Sequence, residues 1–103
     1  MEKQPCVYIL ASRHYGSLYI GVTSDLIKRL SQHRNSLLPG HTSKYAIYHL
    51  VHFEVFGTME AAIAREKQLK NWHRQWKINL INAGNPHWLD LAVRLGLPPI
   101  GRD

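Results

Sequence analysis

Tyr8, Tyr19, Arg29, His33 and Glu66 are the side chains whose types and setting suit them to chemistry. Each interrupts an otherwise apolar face. The tyrosines stand in the runs CVYILA and SLYIGVT, and His33 breaks a helical stripe of Leu26, Leu30 and Leu37 with Arg29 at its edge. Glu66 falls in the middle of a second stripe made by Met59, Ala62, Ile63 and Leu69. A tyrosine pair, a histidine, an arginine and a carboxylate supply the parts of metal-assisted phosphodiester hydrolysis: a proton acceptor, a cationic clamp for phosphoryl oxygens and a hard oxygen ligand.

Each residue also has an ordinary explanation. Tyrosines suit strands, an inward histidine is usually a satisfied core residue, and an arginine at the edge of a stripe can snorkel. Lys70 lies four residues after Glu66, the favourable orientation for a helical ion pair. Both readings stand for each residue alone; chance packing accounts poorly for all of them together.

The elements that must position these groups are legible from patterning. Residues 6–11, 17–23 and 47–56 are rich in β-branched and aromatic side chains and read as strands, with SRHYG as the loop of a hairpin between the first two. Ser24 or Asp25 is a helix cap ahead of DLIKRLSQHRN, and LLPGHTSK is a loop stopped at Pro39-Gly40. Thr58 caps MEAAIAREKQLKNW, and HRQWKINLINAG continues helically after a bend, stopping at Ala83-Gly84. Beyond Asn85-Pro86, HWLDLAVRLG reads as a last short helix and LPPIGRD as a loose tail. The order β-β-α-β-α-α-α gives an α+β domain, a small sheet with helices packed on it. The length fits one domain, 1–103, with its core over about 5–83 and a C-terminal helix and tail over 84–103.

Alternation divides the hairpin into two faces. Val7, Ile9, Ala11, Leu18, Ile20 and Val22 make one; Cys6, Tyr8, Leu10, Tyr19, Gly21 and Thr23 make the other. Pairing therefore brings Tyr8 and Tyr19 together, with Gly21 beside them, where a strand glycine marks close approach of a ligand or another backbone.

The net charge of +6 favours a polyanionic partner, nucleic acid first. Lys67, Lys70, Arg74 and Lys77 follow helical spacing and form a basic stripe beside Glu66 if the helix runs straight past Trp72. Trp72 and Trp76 read as core residues. His49 and His52 point to opposite faces of a strand and do not share a metal. A single cysteine, Cys6, permits no internal disulfide and no cysteine-rich zinc site. No apolar run is long enough to span a membrane and MEKQP is not a signal peptide, so a reducing cytoplasm is the expected compartment.

The chain resembles the GIY-YIG endonuclease superfamily, and within it the small bacterial members related to the nuclease domain of the excision-repair incision subunit. The resemblance rests on Cys6-Val7-Tyr8 in place of Gly-Ile-Tyr, an intact Tyr19-Ile20-Gly21, Arg29 and His33 in the next helix, and Ala64-Arg65-Glu66-Lys67 later. It implies a three-stranded antiparallel sheet flanked by helices. It implies Tyr8 and Tyr19 beside the scissile phosphate, Arg29 stabilising it, His33 helping to activate the nucleophile, and Glu66 holding one divalent cation, Mg2+ or Mn2+. Cys6 and Val7 depart from the first motif, and Val22 stands where the excision-repair subunit has a lysine. The expected function is a metal-dependent DNA endonuclease in repair or processing, monomeric or weakly dimeric, with Gly21, Lys67, Lys70, Arg74 and Lys77 at the nucleic acid. The alternative is a nucleic-acid-binding module of the same fold with little catalysis.

Overall fold

CVYILA has no charged side chain and forms β1, Cys6–Ala11, with every residue buried. Such a strand has to sit in the middle of a sheet covered on both faces. It does so: β2, Leu18–Thr23, and β3, His49–Val55, flank it in the order β2-β1-β3, both antiparallel to it. The computed structural model describes residues 4–34 and 49–98; Leu37, the loop read at Pro39-Gly40, and the start of the third predicted strand lie outside them. On the hairpin side Tyr8 faces Gly21 and Leu10 faces Tyr19. On the other side the register shifts, Ile9 facing His52 and Leu10 facing Leu50, a bulge that leaves Val51 as the extra residue.

Three helices complete the described chain. The first, α1, spans Leu26–Arg34, and Asp25 is its cap, its Oδ1 accepting from the Lys28 amide at 3.2 Å. The second, α2, spans Met59–Asn71, with Thr58 Oγ1 accepting from the Ala61 amide at 3.1 Å. The bend expected near Trp72 is a full break: Trp72 and His73 are both extended, with ψ of 151°. The chain then re-enters a helix, α3, over Arg74–Gly84.

The two faces of the sheet build two cores. Val7, Ile9, Ala11, Ile20 and Val51 pack with Ala62 and Leu69 of α2 and Ile81 of α3. Tyr8, Leu10 and Leu50 pack with Leu30 of α1 and with Ala92, and Tyr19 and Leu26 lie against them. The expected division of side chains between faces holds.

The structure corrects three expectations. Of the stripe expected on α2, Ala62 and Leu69 are buried, but Met59 and Ile63 do not face inward: both are exposed. Trp76 is not a core residue but 53% exposed, because the break before α3 turns its face outward. Residues 87–96 do not form a helix. Trp88 adopts a left-handed φ of 53°, and residues 91–96 run through successive turns closed by three-residue backbone bonds such as Leu95 N–H to the Ala92 carbonyl at 3.0 Å.

The cause is tertiary. Asp90 Oδ1 accepts from the Leu50 and Ala92 amides, and Leu91 N–H donates to the Leu50 carbonyl at 2.8 Å. Asn85 accepts from the Leu89 amide and donates to the Val51 carbonyl. These bonds tie the segment to β3 more effectively than a helix of marginal length could tie itself. Arg34 completes the tether through Asp90 at 2.6 Å and the Pro98 carbonyl at 2.7 Å, so residues 97–98 are held rather than loose.

Candidate active site

The α1 helix lies over the sheet face that carries Tyr8, and its inward side brings His33 against both tyrosines. Tyr8 is completely buried and His33 is 2% exposed; the phenol oxygen and His33 Nε2 are 3.0 Å apart. Tyr8 and Tyr19 have ring centroids 6.3 Å apart, and Tyr19 and His33 meet edge-on at 5.3 Å. Arg29, one turn before His33, lies near the Tyr8 hydroxyl, and its charge acts on both the phenol and the imidazole.

Burial raises the Tyr8 pKa far above that of an ordinary phenol, with Tyr19 adding to the effect and Arg29 opposing it. Tyr8 therefore keeps its proton. Burial, and then the charge of Arg29, lowers the His33 pKa, so the imidazole is neutral near pH 7. A guanidinium donates and never accepts. If Arg29 donates to the phenol oxygen, the phenol proton is left for His33 Nε2, and the ring carries its own proton on Nδ1.

Gly21 is explained by Tyr8. A Cβ at this position would lie 2.5 Å from Cζ and from the hydroxyl oxygen of Tyr8. The close neighbour that the glycine admits is thus the tyrosine ring across the strand pair, and any larger side chain would push the phenol off His33. Cys6 is likewise a core residue; burial pushes its thiol up to about 11.

Glu66 is not in this cluster. It sits on α2, which packs on the opposite face of the sheet, and its Oε2 is 3.0 Å from Lys70 Nζ. The free edge of β2 separates the two groups. There Leu18, Tyr19, Ile20, Lys70 and Lys77 line an open groove of about 220 Å³. At the other end of β2, Arg29 lines a polar pocket of about 150 Å³ with Thr23, Ser24, Asp25, Lys28 and Gln32. Arg29 and Tyr19 are the outer members of the cluster, both partly exposed, with Tyr8 and His33 beneath.

The basic stripe is not continuous. Lys70 and Lys77 share the groove and Lys67 is exposed, but Arg74 Nη2 donates to the Tyr15 and Gly16 carbonyls at 2.7 and 2.8 Å. Arg74 holds the hairpin loop, a position it takes because the helix breaks at Trp72–His73. His49 and His52 do diverge, the first to Asp90 at 3.8 Å and the second to Glu54 at 2.8 Å.

Sequence reasoning missed that second network. Glu54 accepts from Arg65 Nε at 2.9 Å, Arg65 Nη2 at 3.2 Å and His52 Nε2 at 2.8 Å, and the guanidinium carbon of Arg65 lies 5.1 Å from the centroid of the Trp72 ring. Burial alone would raise the Glu54 pKa, but the bonds and charges of Arg65 and His52 outweigh it and hold the carboxyl below its usual value. Adjacent acid and base on one helix, as in Arg65-Glu66, give no hint that the arginine serves a carboxylate on β3.

Among the described residues no group of three or more His, Cys, Asp or Glu is placed to hold a metal. The donor chemistry of Glu66 fits a magnesium ion that keeps most of its waters and takes further oxygens from phosphate. Its side chain is 15% exposed and its partner is an exposed lysine.

Comparison with known proteins agrees with this architecture. Residues 4–79 match the GIY-YIG catalytic domain. A UPF0213 protein of Staphylococcus saprophyticus is 36% identical over 78 residues, covering 76% of this chain and 94% of the relative. One from Haloquadratum walsbyi is 37% identical, covering 66% and 76%. The solution NMR structure of a UPF0213 protein from Bacillus halodurans superposes with a TM-score of 0.54 at 25% identity, covering 92% of this chain and 99% of that one. With its motif tyrosines, arginine and histidine gathered on one sheet face and its glutamate on the helix across the β2 edge, the chain belongs to the GIY-YIG catalytic-domain family, alongside the UPF0213 proteins.

Proposed function

We propose that the protein is a divalent-metal-dependent endonuclease that hydrolyses phosphodiester bonds in DNA, in repair or processing. The observation that carries this reading is the Tyr8–His33 hydrogen bond of 3.0 Å with Arg29 beside it. A neutral imidazole, a protonated phenol and a fixed cation are together the groups needed where a phosphate is attacked by water.

Arg29 clamps the phosphoryl oxygens and stabilises the charge that grows on them, the largest effect available to a prearranged cation. Tyr19 borders the phosphate from the outer side. Tyr8 is enclosed beneath Tyr19 and Arg29 and does not bind the phosphate; once Arg29 is drawn onto the phosphate, the uncovered hydroxyl is the link between the attacking water and the base. As the attacking water loses a proton towards Tyr8, the phenol passes its own to His33 Nε2. The imidazolium so formed is disfavoured by burial and by Arg29, so after the P–O bond breaks it gives its proton back to Tyr8. Tyr8 releases the water's proton to solvent, and the leaving oxygen takes a proton from solvent. Lys70 and Lys77 hold the flanking backbone in the groove beside Tyr19. A magnesium or manganese ion held by Glu66 would supply further positive charge against the phosphate oxygens.

The test is cleavage of labelled single-stranded, duplex and branched DNA and of RNA, with magnesium and with chelator, by wild type and Glu66→Gln. Cleavage of DNA that needs the cation and is lost in Glu66→Gln, while binding persists, is the expected result. Binding without cleavage by wild type in either magnesium or manganese would instead establish a nucleic-acid-binding module.

A further inference from the structure

Glu66 and Lys70 form an unequal pair. The carboxylate side chain is 15% exposed and the lysine 54%, with Nζ 3.0 Å from Oε2. Lys70 is also one of the residues lining the groove beside Tyr19 and Lys77. One ammonium on a flexible stem is therefore within reach of a carboxylate and of the surface where phosphate would lie. The contrast with Glu54 is informative: that carboxylate is gripped by two nitrogens of Arg65 and by His52. A planar fork bound at two points is hard to displace, whereas a single exposed lysine on one oxygen is readily exchanged. A mostly buried carboxylate left with no cation is disfavoured, so a chain that must wait for its metal gains from a temporary occupant.

We propose that Lys70 is an exchangeable counter-ion for Glu66. It neutralises the carboxylate while no metal is bound, and when a divalent cation takes its place it turns into the groove to meet substrate phosphate. This rests on the reading of Glu66 as the metal ligand. Metal binding and nucleic-acid binding then reinforce one another, because phosphate draws Lys70, the metal's competitor, off Glu66, and the metal frees Lys70 from Glu66 to meet phosphate.

The experiment measures Mn2+ affinity of the full chain without nucleic acid, from the free-ion electron paramagnetic resonance signal. The variants are wild type, Lys70→Met, Lys67→Met and Glu66→Gln. Lys70→Met should bind Mn2+ about three- to tenfold more tightly, the scale of one unit charge a few ångströms away in a hydrated setting. Lys67→Met removes the same charge from the next, exposed position and should change the affinity by less than about twofold. In the Arg29→Ala background, Mn2+ should raise the affinity for a labelled DNA oligonucleotide, and Lys70→Met should diminish that gain, leaving only the part the cation itself contributes at the phosphate. Mn2+ binding absent from wild type, or unchanged in Glu66→Gln, overturns the metal-ligand reading and this proposal with it. Glu66-dependent binding equally strong in Lys70→Met and Lys67→Met, or an undiminished gain for the oligonucleotide, overturns this proposal alone.

Discussion

The two edges of the sheet handle charge in opposite ways. At the β3 edge, Glu54, His52 and Arg65 satisfy one another, and Arg65 also donates to Gln68 at 2.6 Å. Around the β2 edge, Arg29 faces a phenol and a neutral imidazole, and among the described residues no carboxylate is paired with it. Both arrangements desolvate a guanidinium in part. Only the first gives it an anion. A closed network holds the fold, and an open one leaves a cation directed at whatever anion arrives.

The largest effect should come from the open edge. Arg29→Ala is expected to lower DNA cleavage by roughly 100- to 1000-fold, as for loss of a transition-state donor, with a melting temperature within a few degrees of wild type. Arg29→Lys should recover only part of the rate, since it lacks the planar fork. Parallel melting curves and initial rates check both. A variant that melts far below wild type would show that Arg29 serves the fold as Arg65 does.

The reciprocal change belongs at the closed edge. Glu54→Gln should destabilise the chain by about 1–3 kcal/mol, the cost of losing charge-assisted bonds and leaving Arg65 unmatched, while the cleavage rate at saturating substrate is unchanged. The folded pKa of Glu54 lies below its ordinary 4.5. Its contribution is therefore complete above pH 4.5 and is lost as the pH falls through the folded value. Denaturant melts of wild type and Glu54→Gln should converge in acid; a gap that stays constant would assign the loss to packing.

Gly21→Ala should cost a similar or slightly smaller amount, about 1–2 kcal/mol for a methyl forced into a filled space, but with a different signature. The added carbon meets the Tyr8 ring, so cleavage should fall along with stability. Stability loss alone would mean that the Tyr8–His33 distance does not matter to the chemistry.

The smallest effect is in the pH profile. His33 is buried and beside Arg29, and its pKa lies below the ordinary 6.5. Cleavage should rise with pH through that lowered value and be level by neutrality. Stability has the same sign: full above pH 6.5 and lost as the pH falls towards the folded value, because the unfolded chain binds the proton more tightly. An acid limb centred above 6.5, measured as initial rate against pH, would remove His33 as the proton acceptor.

Much of this comparison was visible in the residue order. Alternation placed Tyr8, Tyr19 and Gly21 on one face because side chains in a strand must alternate. Helical spacing put Arg29 and His33 on neighbouring positions of α1. The Thr58 cap marked where α2 begins, because an extended residue with a side-chain oxygen satisfies the first free amides. The Glu54–His52–Arg65 network was not visible, since its members come from a strand and from a helix on the far side of a loop, and local pattern says nothing about which faces meet.

What the sequence determined by itself is therefore the periodic part: three strands, their faces, three helices and the residues able to do chemistry. Tertiary structure alone decided the rest. Asp90 and Asn85, bonded to β3, turned a helical pattern at 87–96 into successive turns. The break at Trp72–His73 gave Arg74 to the hairpin loop and left Trp76 on the surface. Packing of α2 on the face opposite α1 put the β2 edge between Glu66 and Arg29. Periodicity is fixed by backbone geometry within a few residues. Partners separated by fifty residues are chosen by which apolar faces can be buried together, and that choice is made by the chain as a whole.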